Sequence, residues 1–375
     1  MTKVRMPAVS HLSFGRRKKL DSEMSSVIFN APNPIYCIQS TQHLILAYCI
    51  HSSKFMAPKT DDDLYRQGSQ YRLWSFTTTE LSSIREKVNR RAIAKIKHEH
   101  ATNGFEHVPV EFLTVQEELD LVLYYCGKLQ DMSGLFKLPS HVKATGISYL
   151  KRFYLRHSVM EYHPKNILHA CLFLAAKSEN HFISIESFTQ LLAKVTQESI
   201  LELEFTVAQA LSFTLMVHHA FSPIHGYFLD IQSIFPSRID EIGAAHDAAR
   251  RLANDSLFSD AAFLFTPPQI ALGALAMAND SLVEQYLEIK FTNQPATLEQ
   301  LSNVIKNVRT YIEQGAQQLP KERVVAIDKK LYFVTNPGKL NKRKVEDNNG
   351  TGSAVDSDAK RVKIDKTDDD STPVP

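Results

Sequence analysis

The sequence predicts an all-α protein of two tandem five-helix repeats with flanking N-terminal and C-terminal helices. Two helices that are apolar on nearly every side begin at Pro164 and Pro267, and amphipathic segments lie on both sides of each. Pro267 lies 103 residues after Pro164, and at the same spacing Ile270 corresponds to Ile167. No sustained alternation of apolar and polar residues predicts strands. Each apolar helix is too short to cross a bilayer, so we expect it to be the centre of a helical bundle.

The composition limits the classes of protein that the chain can belong to. It has 375 residues, 43% of them hydrophobic, enough for two or three folded domains. A formal net charge of +2 disfavours nucleic acid as the main partner, because phosphate binding needs a concentrated basic surface. The four cysteines include no C-x-x-C pair, which disfavours a zinc site and fits reduced thiols in a nuclear or cytosolic protein. We expect no membrane span and no metal.

Start signals for helices divide the chain. Thr114 to Glu117 forms a T-x-x-E capping box, and Thr266 to Gln269 forms a second one with proline in the first turn. The predicted segments are an irregular or disordered leader at 1–70, an N-terminal helix region at 71–110, a first repeat at 111–218, a second repeat at 219–320, a C-terminal helix at 321–335 and a disordered tail at 336–375.

Several short motifs resemble a known family. They are Arg72–Phe76, Lys151–Leu155, Ser158–Pro164, Leu174–Lys177, Leu211–His218 and Phe265–Leu272. Together they resemble the cyclin boxes of cyclin H, and the resemblance covers about residues 70 to 335. It implies two cyclin-box repeats, the first of which binds a protein kinase.

The resemblance also implies a function. A cyclin H-type chain is a non-catalytic subunit that binds and activates a cyclin-dependent protein kinase acting in transcription initiation, where the kinase phosphorylates the RNA polymerase II C-terminal domain. Activation of other cyclin-dependent kinases stays open. The implied partners are the kinase catalytic subunit, a third assembly subunit and the TFIIH core, with no cofactor, no direct nucleic acid and no membrane. The implied location is the nucleus.

Two charged residues match the positions that cyclins use at the kinase contact. They are Lys177 at the end of the third helix of the first repeat and Glu204 in its fifth helix. Glu204 lies among apolar residues, where a carboxylate is costly to bury unless it is paired. The alternative is that Lys177 only complements its helix dipole and Glu204 is solvated.

Apolar neighbours complete the predicted kinase-binding residues. They are Leu174, Ala208, Phe213 and Leu215, although Phe213 could equally be an ordinary core residue. Trp74 and Phe76 precede the N-terminal helix, which should pack on the repeats or on the kinase. The second repeat has Asp280 where the offset places Lys177, so only the first repeat should bind the kinase.

The sequence departs from cell-cycle cyclins in two places. The second helix of the first repeat has no Asp between residues 149 and 153, and the first helix lacks the M-R-x-I-L patch that recruits substrates. Direct substrate docking of that kind is therefore not expected.

Three other kinds of protein remain as alternatives. A TFIIB-type factor also has two cyclin-like repeats but binds DNA; it would need a zinc ribbon, for which Cys37 and Cys49 alone are too few ligands. Another transcriptional cyclin and a passive helical scaffold are the others. No phosphate-binding glycine loop or kinase motif is present in the sequence.

The two ends of the chain suggest signals outside the repeats. Residues 341–375 hold two basic clusters in an acidic context, which predicts a bipartite nuclear import signal or, alternatively, a merely solvated tail. The basic residues are Lys342, Arg343, Lys344, Lys360, Arg361 and Lys363.

At the N-terminal end, residues 28–55 contain an apolar run without helical or strand periodicity, Leu44–Ile50, ahead of a polar stretch that begins at Met56. We hypothesise that the working protein starts near Met56; the alternative is that the run packs on the first repeat.

Overall fold

The structure, a computed structural model, describes residues 64–192, 195–317 and 319–340. Among the described residues, three helices precede the first repeat: α1 (Leu64–Gln67), α2 (Ser69–Trp74) and α3 (Thr78–Thr102). The first repeat follows as α4 (Val115–Leu135), α5 (Ser140–Phe153), α6 (Pro164–Ser178), α7 (Ile185–Gln190) and α8 (Gln197–Ala210).

The second repeat has the same plan with one short addition. Its helices are α9 (Phe221–Ile234), α10 (Ile239–Asp255), the added α11 (Ala261–Leu264), α12 (Pro267–Ala278), α13 (Asp280–Lys290) and α14 (Pro295–Ala316). The C-terminal helix is α15 (Lys321–Thr335). The described residues contain helices and no strands, so the predicted fold class is confirmed.

Side-chain caps begin the helices where the sequence predicted them. At α4, Thr114 accepts from the backbone N–H of Glu117, whose carboxylate accepts from the Thr114 N–H at 2.7 Å. At α12, the N–H of Thr266 donates to Gln269 Oε1 at 2.8 Å. The start of α6 is different, because the His163 ring caps it by accepting from the Lys165 N–H.

The two apolar helices lie at the centres of the repeats. Ile167 and Leu172 of α6 are fully buried, and their counterparts Ile270 and Leu275 of α12 are nearly so. In the second repeat α12 and α14 approach closely at Gly273. A Cβ added there would lie only 2.4 Å from the Val308 side chain. The predicted 103-residue repeat is therefore a repeat in three dimensions.

The flanking helices are attached through both ion pairs and apolar contacts. On α15, Lys330 pairs with Glu117 at 3.0 Å and Arg323 pairs with the buried Asp120, so both anchors lie on α4. On α3, Arg85 makes two parallel bonds of 2.6 and 2.7 Å to Asp260 of the second repeat. The helices α3 and α15 thus pack on the repeats as expected.

Two predicted boundaries need correction. The leader was predicted to be irregular through residue 70, but Leu64–Gln67 and Ser69–Trp74 are helical, and Gln70 is buried with its side chain bonded to the backbone of His218. The tail was predicted from Asn336, yet residues 337–340 form a further helical turn with Pro337 buried. Both segments are too short and too polar for sequence periodicity to show that tertiary contacts order them. No helix among the described residues is long and apolar enough to span a bilayer.

Candidate functional site

The two predicted charged residues lie side by side on the first repeat. Lys177 is in the last turn of α6 and Glu204 is in the middle of α8, and Lys177 Nζ lies 2.5 Å from Glu204 Oε1. The Lys177 ammonium also lies 4.8 Å from the centre of the Phe173 ring. The structure therefore brings together the local pair that the sequence predicted.

The environment of this pair leaves both charges within reach of a partner. The side chains of Lys177 and Glu204 are 39% and 17% exposed. An ion pair at such a surface stabilises a folded chain by about 0–1 kcal/mol, because water screens it. If a partner covered the pair, the same attraction would act at a lower dielectric constant. The pair is therefore better suited to binding than to stabilising the free chain.

The turn after α8 holds an aromatic side chain out into solvent. The N–H of Phe213 donates to the carbonyl of Ala208, and the N–H of Ser212 to that of Gln209, which is the Schellman end of a helix. Ser212 and Phe213 have φ angles of 53° and 54°, in the left-handed region that favours glycine. Phe213 is 61% exposed, so the core alternative for this residue is wrong.

Phe213 does not stand alone on this surface. Phe205 on α8 is 65% exposed, and the centres of the two rings are 6.0 Å apart. Leu201, one turn before Phe205, and Met216, just beyond the turn, are also exposed. We call the set Leu201, Phe205, Phe213 and Met216, next to the Lys177–Glu204 pair, the α8 surface.

Sequence reasoning missed three of these four apolar residues. The signal was present, because α8 carries more apolar residues than one helical face needs: Ile200 and Val207 are buried, while Leu201 and Phe205 form a second stripe at i, i+4 spacing. Met216 lies beyond the helix and follows no period.

Three other predicted contact residues are less accessible in the free chain. Leu174 is a core residue, only 6% exposed, and Ala208 and Leu215 are half-buried. Leu174 therefore has little area to offer a partner, because α6 is buried on nearly all sides.

Trp74 and Phe76 pack on their own chain. Trp74 is 1% exposed and its indole N–H donates to Thr214 Oγ1 at 3.0 Å. Phe76 packs against Phe263 of the second repeat, to whose carbonyl it donates its N–H at 2.8 Å. The sequence left two possibilities for this segment, packing on the repeats or on the kinase. In this structure it packs on the repeats. Thr214 follows Phe213 directly, so α2 supports the turn of the α8 surface.

The second repeat differs at the corresponding position. Asp280 is the first residue of α13 and forms an ion pair with Arg309 of α14. A carboxylate thus takes the place of Lys177, and a guanidinium is its partner. The two repeats share a fold but present opposite arrangements of charge at the matched position.

Other predicted features lie elsewhere. The six basic residues of the predicted import signal and the segment before Met56 lie outside the described residues. Within residues 64–192, 195–317 and 319–340, no group of three metal-ligating side chains could hold an ion. Cys126 and Cys171 are buried free thiols, and burial raises the pKa of Cys126 to about 12.

Comparisons with known proteins agree with this architecture. The family described as Cyclin, N-terminal domain, matches residues 123–216, and the family described as Cyclin C-terminal domain matches residues 219–313. The Schizosaccharomyces pombe protein Cyclin mcs2 is 36% identical over 285 residues, which cover 73% of this chain and 86% of that protein. This chain belongs to the cyclin family.

Further relatives of this cyclin are named Cyclin CCL1 and Cyclin-H. Cyclin CCL1 of Saccharomyces cerevisiae is 42% identical over 253 residues, and the match spans 64% of each chain. Cyclin-H of Xenopus laevis is 28% identical over 284 residues, covering 72% of this cyclin and 86% of that protein.

Two solved structures resemble the cyclin over most of its length. A chain of the Chaetomium thermophilum CAK complex bound to ATP-gamma-S is 30% identical with a TM-score of 0.69, covering 80% of this cyclin and all of that chain. A chain of the yeast TFIIK (Kin28/Ccl1/Tfb3) complex is 38% identical with a TM-score of 0.56, covering 66% of this cyclin and all of that chain.

Proposed function

We propose that this cyclin is the regulatory subunit of a cyclin-dependent protein kinase and activates it by binding through the α8 surface. The observation that carries the proposal is the accessible Lys177–Glu204 pair beside the exposed Phe205 and Phe213 rings. Soluble proteins seldom expose contiguous large apolar side chains without a partner for them. Aromatic residues beside a charged pair are typical of the centre of a binding surface.

The relatives suggest which type of kinase the cyclin binds. The yeast complex that contains a similar chain is named TFIIK and holds Kin28, Ccl1 and Tfb3. We therefore propose a kinase of that type, which acts in transcription initiation by phosphorylating the RNA polymerase II C-terminal domain. A third assembly subunit and the TFIIH core are proposed as further partners, and the nucleus as the location.

Reconstitution of the kinase tests the proposal directly. Purified cyclin mixed with a Kin28-type catalytic subunit should raise phosphorylation of an RNA polymerase II C-terminal-domain peptide, while the cyclin alone should transfer no phosphate. The matched control is the catalytic subunit alone at the same concentration. Unchanged kinase activity at saturating cyclin would contradict the proposal, and so would phosphotransfer by rigorously kinase-free cyclin.

The tail should be needed for location and not for activation. Deleting residues 341–375 removes the basic clusters of the predicted import signal and leaves every helix from α1 to α15 intact. We expect full kinase activation in vitro and reduced nuclear accumulation of a fluorescent fusion. Because a bound kinase could carry the cyclin into the nucleus, the fusion should also carry Glu204→Ala. Lost activation in vitro would contradict the proposal.

A further inference from the structure

A small cavity lies where the N-terminal helices and the two repeats meet. Its volume is about 30 Å³, against roughly 10–15 Å³ for one water molecule. Its walls include Gln70 of α2, Lys151 and Arg152 of α5, the linker residues 218–220, and Phe221 and Leu257 of the second repeat. An occupant would therefore touch three separate parts of the fold at once.

The charge on the walls of this cavity is not balanced. Arg152 is 3% exposed, and its Nη1 atom is buried with no hydrogen-bond partner. Its guanidinium lies 5.1 Å from the Trp74 ring, which gives a cation–π contact but accepts no hydrogen bond in the ring plane. Burial lowers the pKa of Arg152 only to about 10, so it is charged at neutral pH. No Asp or Glu of the described residues lines the cavity.

The neighbouring groups do not supply the missing negative charge. Lys151 is also buried, and its ammonium donates to the carbonyls of Leu257 and Ser259. Asp260, whose charge acts on Lys151, accepts two hydrogen bonds from Arg85 and does not line the cavity. Desolvation and the nearby Arg152 lower the pKa of His219 to about 3, so this ring is neutral at pH 7.

We propose that this cavity binds a small inorganic anion of about the size of chloride, held by Arg152. Burial of an unpaired guanidinium is strongly unfavourable, and an anion beside Nη1 would remove most of that cost. The limited volume favours a monatomic ion over a tetrahedral oxyanion. Because the walls come from α2, α5 and the second repeat, the bound ion would stabilise the junction between the repeats.

The test compares thermal unfolding of the full chain in sodium chloride and in sodium gluconate at equal ionic strength. Wild type should unfold at a temperature about 2–4 °C higher in chloride, with a rise that saturates, because a ligand that binds only the folded chain stabilises it by mass action. Arg152→Met should abolish the difference between the two salts. The matched control Arg156→Met removes an exposed guanidinium that lies 5.5 Å from the same Trp74 ring but does not line the cavity, and it should keep the difference.

A second measurement on wild type keeps the test independent of whether Arg152→Met folds. Crystals grown in sodium bromide should show an anomalous peak next to Arg152 Nη1. Equal unfolding temperatures in the two salts, or an undiminished chloride effect in Arg152→Met, would overturn the proposal. So would bromide peaks confined to the surface, or density for a carboxylate from residues 1–63 in the cavity.

Discussion

The fifth helices of the two repeats occupy matched places in the same fold and yet carry different surfaces. In the first repeat, α8 buries one apolar stripe and exposes a second, with Leu201 and Phe205 open to solvent. In the second repeat, α14 is longer and exposes no large apolar side chain, because Leu301, Ile305 and Val308 all point into the core. The repeated fold therefore does not by itself create an exposed apolar surface; a second apolar face on one helix does.

The charged positions differ in the same way. The ammonium of Lys177 ends α6 and meets a carboxylate on α8, whereas the carboxylate of Asp280 begins α13 and meets the guanidinium of Arg309 on α14. Asp280 is at a helix N-terminus, where a negative charge is favourable locally. The pair in the second repeat thus has a structural explanation, while the pair in the first repeat lies next to exposed aromatic rings.

The largest expected effect comes from breaking the charged pair in the first repeat. Lys177→Ala or Glu204→Ala should each weaken kinase binding by about 2–5 kcal/mol, because removal of one partner leaves the other unpaired in a covered interface. Isothermal titration calorimetry with the catalytic subunit measures the loss. The fold should survive, since an exposed pair contributes little to stability.

The matched control is Asp280→Ala in the second repeat, which should leave the kinase affinity unchanged. Wild-type affinity in both Lys177→Ala and Glu204→Ala would show that the pair is incidental. An equal loss in Asp280→Ala would show that the two repeats are not functionally distinct.

The order of the helices could be predicted because its signals are local. The capping box at Thr114 and the prolines at 164 and 267 start helices through bonds or backbone angles within one turn. The Lys177–Glu204 pair was also predictable, although from family resemblance more than from physics. A lone glutamate in an apolar helix does not by itself reveal which residue pairs with it.

Two other features, the burial of charged residues in α5 and the turn that ends α8, depend on contacts between residues that are distant in the sequence. Lys151 and Arg152 are adjacent charged residues near the end of α5, a pattern typical of a solvated helix end, yet both are buried. The buried ammonium of Lys151 donates to the carbonyls of Leu257 and Ser259, more than 100 residues away, and the Arg152 guanidinium packs on the Trp74 ring. Ser212 and Phe213 adopt positive φ angles that few non-glycine residues adopt, so nothing in their types predicts the turn that exposes Phe213.

Substitutions of the exposed aromatic residues of the α8 surface should have a smaller effect on kinase affinity and almost none on the free energy of unfolding. Phe205→Ala and Phe213→Ala remove side chains that are 65% and 61% exposed, so the free energy of unfolding should change by no more than about 0.5 kcal/mol. Kinase affinity should fall by about 1–2 kcal/mol in each variant, because aromatic side chains at the centre of an interface contribute strongly. Calorimetry and urea unfolding on the same samples measure the two quantities.

The control for this prediction is Ile289→Ala, which removes an apolar side chain of the second repeat that is 53% exposed. It should change neither quantity. If Ile289→Ala reduced kinase affinity as much as Phe205→Ala, the exposed apolar residues of the second repeat would belong to the interface as well.

The smallest expected effect concerns the turn that ends α8. Ser212 has a φ angle of 53°, and a non-glycine residue there costs about 1–2 kcal/mol relative to glycine. Ser212→Gly should therefore raise the free energy of unfolding by about 0.5–1 kcal/mol, after the greater entropy of glycine in the unfolded chain is deducted. Urea denaturation measures the change. Ser302→Gly in the middle of α14 is the matched control and should have the opposite sign, because glycine is unfavourable inside a helix. If Ser212→Gly lowered stability instead, the serine side chain would be making a contact that outweighs its backbone strain, and the turn would be held by more than its two backbone hydrogen bonds.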